Sequence, residues 1–226
     1  MAGICTSKII FLPLVAACAA YSQGTVDFVN YNTAVTPIID ARIWYAAGGP
    51  MPSTWVDSAV TVTDPLTQIT YGGSSVRVGL YGGPAGSKEK NLVLLAPLVG
   101  FGTGPNAGYL ASGPDTTRAL PGLAPGEAAV LQLRGWDTGL APGEITSAQS
   151  WEEANQLALI RSVYMGKSHL IDVSALGGAG SPPTPPAELF GLNGFDLAHY
   201  VPEPSLIALG IVSAMAGLLF FPRRRP

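Results

Sequence analysis

Val76-Arg77-Val78-Gly79-Leu80-Tyr81 alternates apolar and other residues with a period of two, and Gly82-Gly83-Pro84-Ala85-Gly86 follows at once. That alternation sends successive side chains to opposite faces of an extended strand, and the glycine–proline cluster reads as a turn. Ala129-Val130-Leu131-Gln132-Leu133-Arg134-Gly135-Trp136-Asp137 repeats the pattern. Around these two runs stand shorter candidates. Gly24 to Tyr31 reads as a first strand, and Arg42-Ile43-Trp44-Tyr45 follows a Pro-containing loop. Asn91 to Leu95 is an apolar run expected to form a buried strand. Val163-Tyr164-Met165 and Leu170-Ile171-Asp172-Val173 come later, with Phe195-Asp196-Leu197 as a last strand. Short strands between Gly/Pro turns predict an all-β fold, an antiparallel β-sandwich or jelly-roll-like domain.

One helix interrupts the strands. Ser150-Trp151-Glu152-Glu153 fits a capping box, in which the Ser150 hydroxyl accepts from the Glu153 amide and Glu153 reaches back. Trp151, Ala154 and Ala158 share a face, so the helix is expected from Trp151 to about Leu159.

Composition agrees with a turn-rich β domain. The 226 residues include 28 Gly and 20 Pro, and only 12% are charged. Between Gln23 and Val201, eight Lys and Arg face fourteen Asp and Glu, a net −6. Such a domain is a poor partner for nucleic acid or for an anionic membrane surface. Both cysteines, Cys5 and Cys18, lie near the N-terminus, which leaves the domain without thiols or disulfides.

The two ends read as targeting segments. Lys8 precedes the apolar run Ile9 to Ala17, too short to span a bilayer and suited to a secretory signal peptide over residues 1–22. Ala20-Tyr21-Ser22 has the small-x-small form, which places cleavage before Gln23. Val15-Ala16-Ala17-Cys18 resembles a bacterial lipoprotein box, so lipidation of Cys18 stands as a competing reading. At the other end, Val201-Pro202-Glu203-Pro204-Ser205 precedes Leu206 to Phe221, which carries no charge, and then Arg223-Arg224-Arg225. Sixteen residues of helix reach roughly 24 Å, against a hydrocarbon core of roughly 30 Å. The arginines are expected to stay cytoplasmic, which leaves the proline motif at the outer face.

Motif, apolar segment and arginine cluster together closely resemble the PEP-CTERM sorting signal of Gram-negative bacteria. The resemblance covers Val201 to Pro226. It implies delivery by the secretion machinery, transient single-pass insertion through the inner membrane, and processing by an exosortase near Pro202-Glu203-Pro204. It also implies a place at the cell surface or in the extracellular polysaccharide matrix. Gly24 to Phe28, Leu80 to Gly86 and Leu133 to Asp137 resemble exported PEP-CTERM proteins of Verrucomicrobia-like bacteria. That likeness carries over no catalytic residues.

The expected organisation is a signal peptide (1–22), a β-sandwich domain (23–180), a Pro-rich linker with a possible last strand (181–200) and the sorting segment (201–226). Ser181-Pro182-Pro183-Thr184-Pro185-Pro186 reads as a stiff, extended spacer.

Side-chain chemistry is sparse. Glu152 and Glu153 are helical neighbours about 100° apart and cannot share one proton-transfer site. His169 reads as an exposed turn residue and His199 as a linker residue, and no His or Cys cluster has zinc-ligand spacing. Gly100-Phe101-Gly102-Thr103-Gly104 lacks the Gly-Lys-[Ser/Thr] ending of a phosphate loop and reads as a flexible loop. No Asp-x-Asp-x-Asp-Gly calcium loop occurs. No cofactor is expected.

Three functions compete. The first is a non-enzymatic exported surface or matrix protein. The second is a carbohydrate-binding module, with Trp44 and Trp55 stacking on sugar rings while Trp136 and Trp151 fill the core. The third is a glycan hydrolase, for which Asp27, Asp137 and Asp172 are the candidate carboxylates. Exposed aromatics in a row would favour the second, and convergent carboxylates in a cleft the third.

Overall fold

The computed structural model describes residues 23–202 apart from 112, 114 and 180. The strands are β1 (Gly24–Asp27), β2 (Tyr31–Asn32), β3 (Ile39–Asp40), β4 (Ile43–Tyr45), β5 (Thr61–Thr63), β6 (Thr70–Gly72), β7 (Val76–Pro84), β8 (Val93–Val99), β9 (Thr117–Leu120), β10 (Ala129–Asp137), β11 (Val163–Lys167), β12 (Ile171–Val173) and β13 (Phe195–Tyr200). One helix, α1 (Trp151–Ala158), lies between β10 and β11. The expected signal peptide, the Cys18 alternative, Glu203 to Ser205, the apolar segment and Arg223 to Arg225 all lie outside the described residues. Among the described residues no helix is long and apolar enough to cross a membrane.

The two alternating runs are the central pair. β7 and β10 pair antiparallel over nine residues, from Val76↔Asp137 to Pro84↔Ala129. Period two then sorts their side chains. Val76, Val78 and Leu80 join Ala129, Leu131 and Leu133 in the main core, where Val26, Ile39, Tyr71 and Leu120 from the small two-stranded sheets meet them. On the opposite face Tyr81, Val130 and Trp136 pack with Val163 and Met165 beneath Ala154 of α1. β10 is buried along its whole length because both faces are covered. Each fully buried large apolar side chain contributes roughly 1.5–3 kcal/mol. The result is a β-sandwich-like domain with one short helix.

The main sheet is mixed, which corrects the expectation of a purely antiparallel one. Its order is β4-β13-β11-β10-β7-β8, with β12 also paired to β10. β13 lies antiparallel to β11 but parallel to β4, with Phe195↔Ile43 and Leu197↔Tyr45. A parallel pair needs a long crossover, and nearly the whole domain intervenes between these two strands.

Several local expectations also shift. Gly82, Gly83 and Pro84 continue β7 and do not turn. A Cβ on Gly82 would sit 2.8 Å from Leu131 Cδ2, so this glycine permits close packing, and the bend comes at Gly86, with φ of 77°. β8 is the sheet's edge, with Val93 exposed, so this apolar run is not a buried strand. The first strand breaks after Asp27 and resumes as β2. Ser150 caps α1 as expected, accepting from the Glu153 amide at 3.1 Å, but the Glu153 carboxylate reaches the Gln149 amide at 2.7 Å, outside the box pattern.

The stretch expected to be a spacer packs on the domain. Gly178 and Thr184 exchange backbone hydrogen bonds, Ala187 bridges Val26, and Leu189 is fully buried. β13 then enters the middle of the main sheet. Backbone pairing and the burial of Leu189 and Leu197 outweigh the extended preference of the prolines.

Candidate functional site: an aromatic face beside strand β4

Asp40, Arg42 and Trp44 alternate with Ile39, Ala41, Ile43 and Tyr45, which are all buried. Period two therefore turns the first three side chains outward together. The segment after β4 folds back alongside it. Tyr45 N donates to Thr54 O at 2.8 Å and Val56 N to Ile43 O at 3.1 Å. Trp55 thereby comes opposite Trp44, ring centroids 5.8 Å apart and edge to face. The two residues singled out for sugar contact stand together.

Three further residues extend the row. The Arg42 guanidinium carbon lies 5.2 Å from the Trp55 ring centroid and 4.4 Å from that of Tyr109. Tyr109 packs against Tyr31 at 4.6 Å and donates its hydroxyl to Asp40 Oδ1 at 2.6 Å. Burial, then the Asp40 carboxylate, raises the Tyr109 phenol above its ordinary value, so it remains a donor. Trp55 and Tyr31 are 42% and 50% exposed, and the open groove between Asp40, Arg42, Trp44, Trp55, Tyr109 and Gly194 has a volume of about 420 Å³. A second hollow, lined by Ser53 and Thr54, adjoins the same two tryptophans.

Buried polar bonds hold this face in place. Asn30, 1% exposed, donates to Ala41 O at 2.7 Å and to Gly108 O at 3.0 Å, and accepts from Leu110 N at 2.8 Å. It ties the loop carrying Tyr109 to the segment carrying Arg42, between β3 and β4. Gly194 forms the floor: a Cβ there would collide with Arg42 O and meet Trp44 Cζ3 at 3.1 Å. Chemically, the groove offers ring faces, a cation and a carboxylate oxygen in one open channel, which suits an uncharged, hydroxyl-rich ligand.

Comparison with protein-family models, with curated proteins and with solved structures finds no match for this chain.

The candidate carboxylates have different fates. Asp137 is fully buried and accepts four hydrogen bonds: from Tyr45 at 2.6 Å, Gly72 N at 2.7 Å, Ser75 Oγ at 2.5 Å and Gly139 N at 3.0 Å. Burial pushes its carboxyl up, and the donors pull it back. Both oxygens are occupied, so it serves as a tie between strands. Asp172 is exposed on β12 and lines the 690 Å³ hollow under the Pro-rich strap. Asp27 sits on β1, with one carboxylate oxygen buried and unpaired.

The remaining candidates resolve in the same way. Glu152 turns to Arg134 at 3.4 Å and to Tyr81 at 3.2 Å, away from Glu153. Trp136 is fully buried in the core, and the half-buried Trp151 packs against that cluster with its ring 6.4 Å away. His169 is exposed, but His199 is a strand residue of β13, its ring 4.7 Å from that of Tyr164. The Gly100–Gly104 loop is tied down, with Gly104 N donating to Asp57 at 2.9 Å. No group of three or more His, Cys, Asp or Glu suited to a metal occurs among the described residues.

Sequence reasoning found Trp44 and Trp55 but not their companions. The alternation from Ile39 to Tyr45 could have added Asp40 and Arg42. Nothing local marks Tyr31 or Tyr109, which arrive through the Asn30 bonds.

Proposed function

We propose that this chain is a non-enzymatic exported protein of the cell surface or extracellular matrix, and that its folded domain binds carbohydrate along the Trp44–Trp55 face. The observation that carries the reading is the row Trp44, Trp55, Arg42, Tyr109 and Tyr31 beside an open groove. Ring faces stack on the apolar C–H faces of sugars, and Asp40 and Arg42 supply an acceptor and donors for hydroxyls. Occupation of both Asp137 oxygens weakens the hydrolase alternative. The resemblance of Val201 to Pro226 to a PEP-CTERM signal supports export and exosortase processing.

Affinity electrophoresis in gels containing neutral polysaccharides tests the binding. Wild-type protein is expected to be retarded, and Trp55→Ala to bind about tenfold more weakly, roughly 1.4 kcal/mol. Equal mobility of both proteins in every gel would overturn the binding role. Mass spectrometry of the native C-terminus tests the processing, which predicts loss of Leu206 to Pro226. Recovery of an intact Pro226 terminus would indicate a plain anchor.

A further inference from the structure

The apolar side chains that the fold leaves most exposed gather at one end of the main sheet. Leu66, Ile145, Ile160, Leu159 and Val201 are 92%, 89%, 76%, 71% and 64% exposed, the five highest values among the large apolar residues described. Strand register places them together. Asp137 ends β10 opposite Val76, which begins β7, and Tyr200 ends β13 opposite Val163, which begins β11. The loop after β10 carries Ile145, and the loop before β11 carries Leu159 and Ile160. The hairpin of β5 and β6, with Leu66 at its tip, runs into β7. Thr70 bridges Leu140 and Arg161 pairs with Glu144 at 2.9 Å, drawing the three segments to the same end.

The chain leaves the domain at this end, through Tyr200 and Val201. Four residues, Pro202 to Ser205, separate Val201 from the uncharged run that begins at Leu206. Fully extended, they reach about 14 Å. On the anchored reading above, so short a tether turns this end of the domain toward the bilayer. The charge on the loops there is low, and the neighbouring Arg77 of β7 is half-buried and donates to Val76 O at 3.0 Å. On the segments 64–69, 140–146 and 159–162 the charged groups are Asp64, Glu144 and Arg161, and the last two neutralise each other. Of the lysines of the described chain, Lys88 and Lys90 lie beyond the far end of β7, and Lys167 is the last residue of β11, opposite Arg134 within the sheet.

We infer that Leu66, Ile145, Leu159 and Ile160 form a lipid-facing surface that seats the unprocessed protein on the outer interface of the membrane. The inference rests on the anchored, exported reading above. Seating is apolar and indifferent to lipid charge, since the surface lacks a basic cluster. It holds Val201 and Pro202 at headgroup level. It also leaves the aromatic face, on the β4 flank of the sheet, open to solvent.

The test uses the full chain with Cys5→Ser and Cys18→Ser, reconstituted in phosphatidylcholine vesicles. Ile160→Cys, Leu66→Cys and Lys88→Cys variants each carry an environment-sensitive fluorophore. Blue-shifted emission and about threefold weaker iodide quenching at positions 160 and 66 than at 88 are expected, unchanged by added phosphatidylglycerol. Protein that floats with the vesicles but is quenched equally at all three positions overturns this inference alone. Protein that does not float overturns the anchored reading and this inference with it.

Discussion

Tyr45 donates its phenolic hydrogen to Asp137 across 2.6 Å, joining residues 92 apart in the chain and locking the end of β4 to the end of β10. Ser75 and the amides of Gly72 and Gly139 complete the ring of donors around the same carboxylate. Three separate segments, around Tyr45, Gly72–Ser75 and Asp137–Gly139, therefore converge on one buried group. Burial, then the neighbouring Asp137, raises the Tyr45 phenol well above its ordinary value, so it acts as a donor throughout the physiological range.

Removing that donor should weaken the domain without unfolding it. Tyr45→Phe leaves one carboxylate oxygen short of a partner and is expected to cost about 1–3 kcal/mol. Asp137→Ala strands the Tyr45 hydroxyl and the Gly72 and Gly139 amides, while Ser75 keeps Gly72 O as an acceptor, and should cost more. Urea denaturation of the two variants against wild type checks the order. A Tyr45→Phe midpoint equal to wild type would show that the bond is dispensable.

Stability should fall in mild acid because of His199. Burial against Tyr164 and Tyr71 lowers its pKa below the ordinary 6.5, while a backbone contact at Gly48 and the Asp64 carboxylate oppose the shift. The folded domain thus binds fewer protons at this site than the unfolded chain. Its contribution is complete above the unfolded value and is lost as pH falls through the lower folded value. Melting temperatures recorded from pH 7.5 to 5 should decline, and His199→Phe should flatten the decline over that window. An unchanged slope in the variant would remove His199 as the cause.

Asn30 should couple stability to binding. Asn30→Ala leaves the carbonyls of Ala41 and Gly108 and the amide of Leu110 without their side-chain partner, at roughly 1–3 kcal/mol for each group left unsatisfied. The Tyr109 loop should loosen, and retardation by polysaccharide should weaken even where the variant remains folded. Wild-type retardation in a destabilised variant would place Tyr109 outside the binding face.

Local chemistry was legible where neighbours in the chain settle the outcome. The alternation in Val76 to Tyr81 and Ala129 to Asp137 identifies strands, because pleating alone sends successive side chains to opposite faces. Ser150 identifies the start of α1, since its hydroxyl satisfies an amide three residues on. Composition likewise sufficed for a turn-rich β domain. Local signals misled where a distant contact outweighed them. The prolines between Ser181 and Pro186 resemble a spacer, and Gly82-Gly83 resembles a turn, yet both lie against the packed domain.

Strand partners depend on what closes around each strand, and hydrogen bonds between strands carry no mark in either sequence. Nothing within Phe195 to Tyr200 says that it enters between β4 and β11, or that it lies parallel to one and antiparallel to the other. Nothing near Trp44 announces Tyr109, and nothing near Tyr45 announces Asp137. The tertiary fold assembles the aromatic face, the buried carboxylate and the apolar end of the sheet from segments far apart in the chain. Each segment takes its place only when the shared core excludes water from all of them together, so no local pattern could have specified those neighbours.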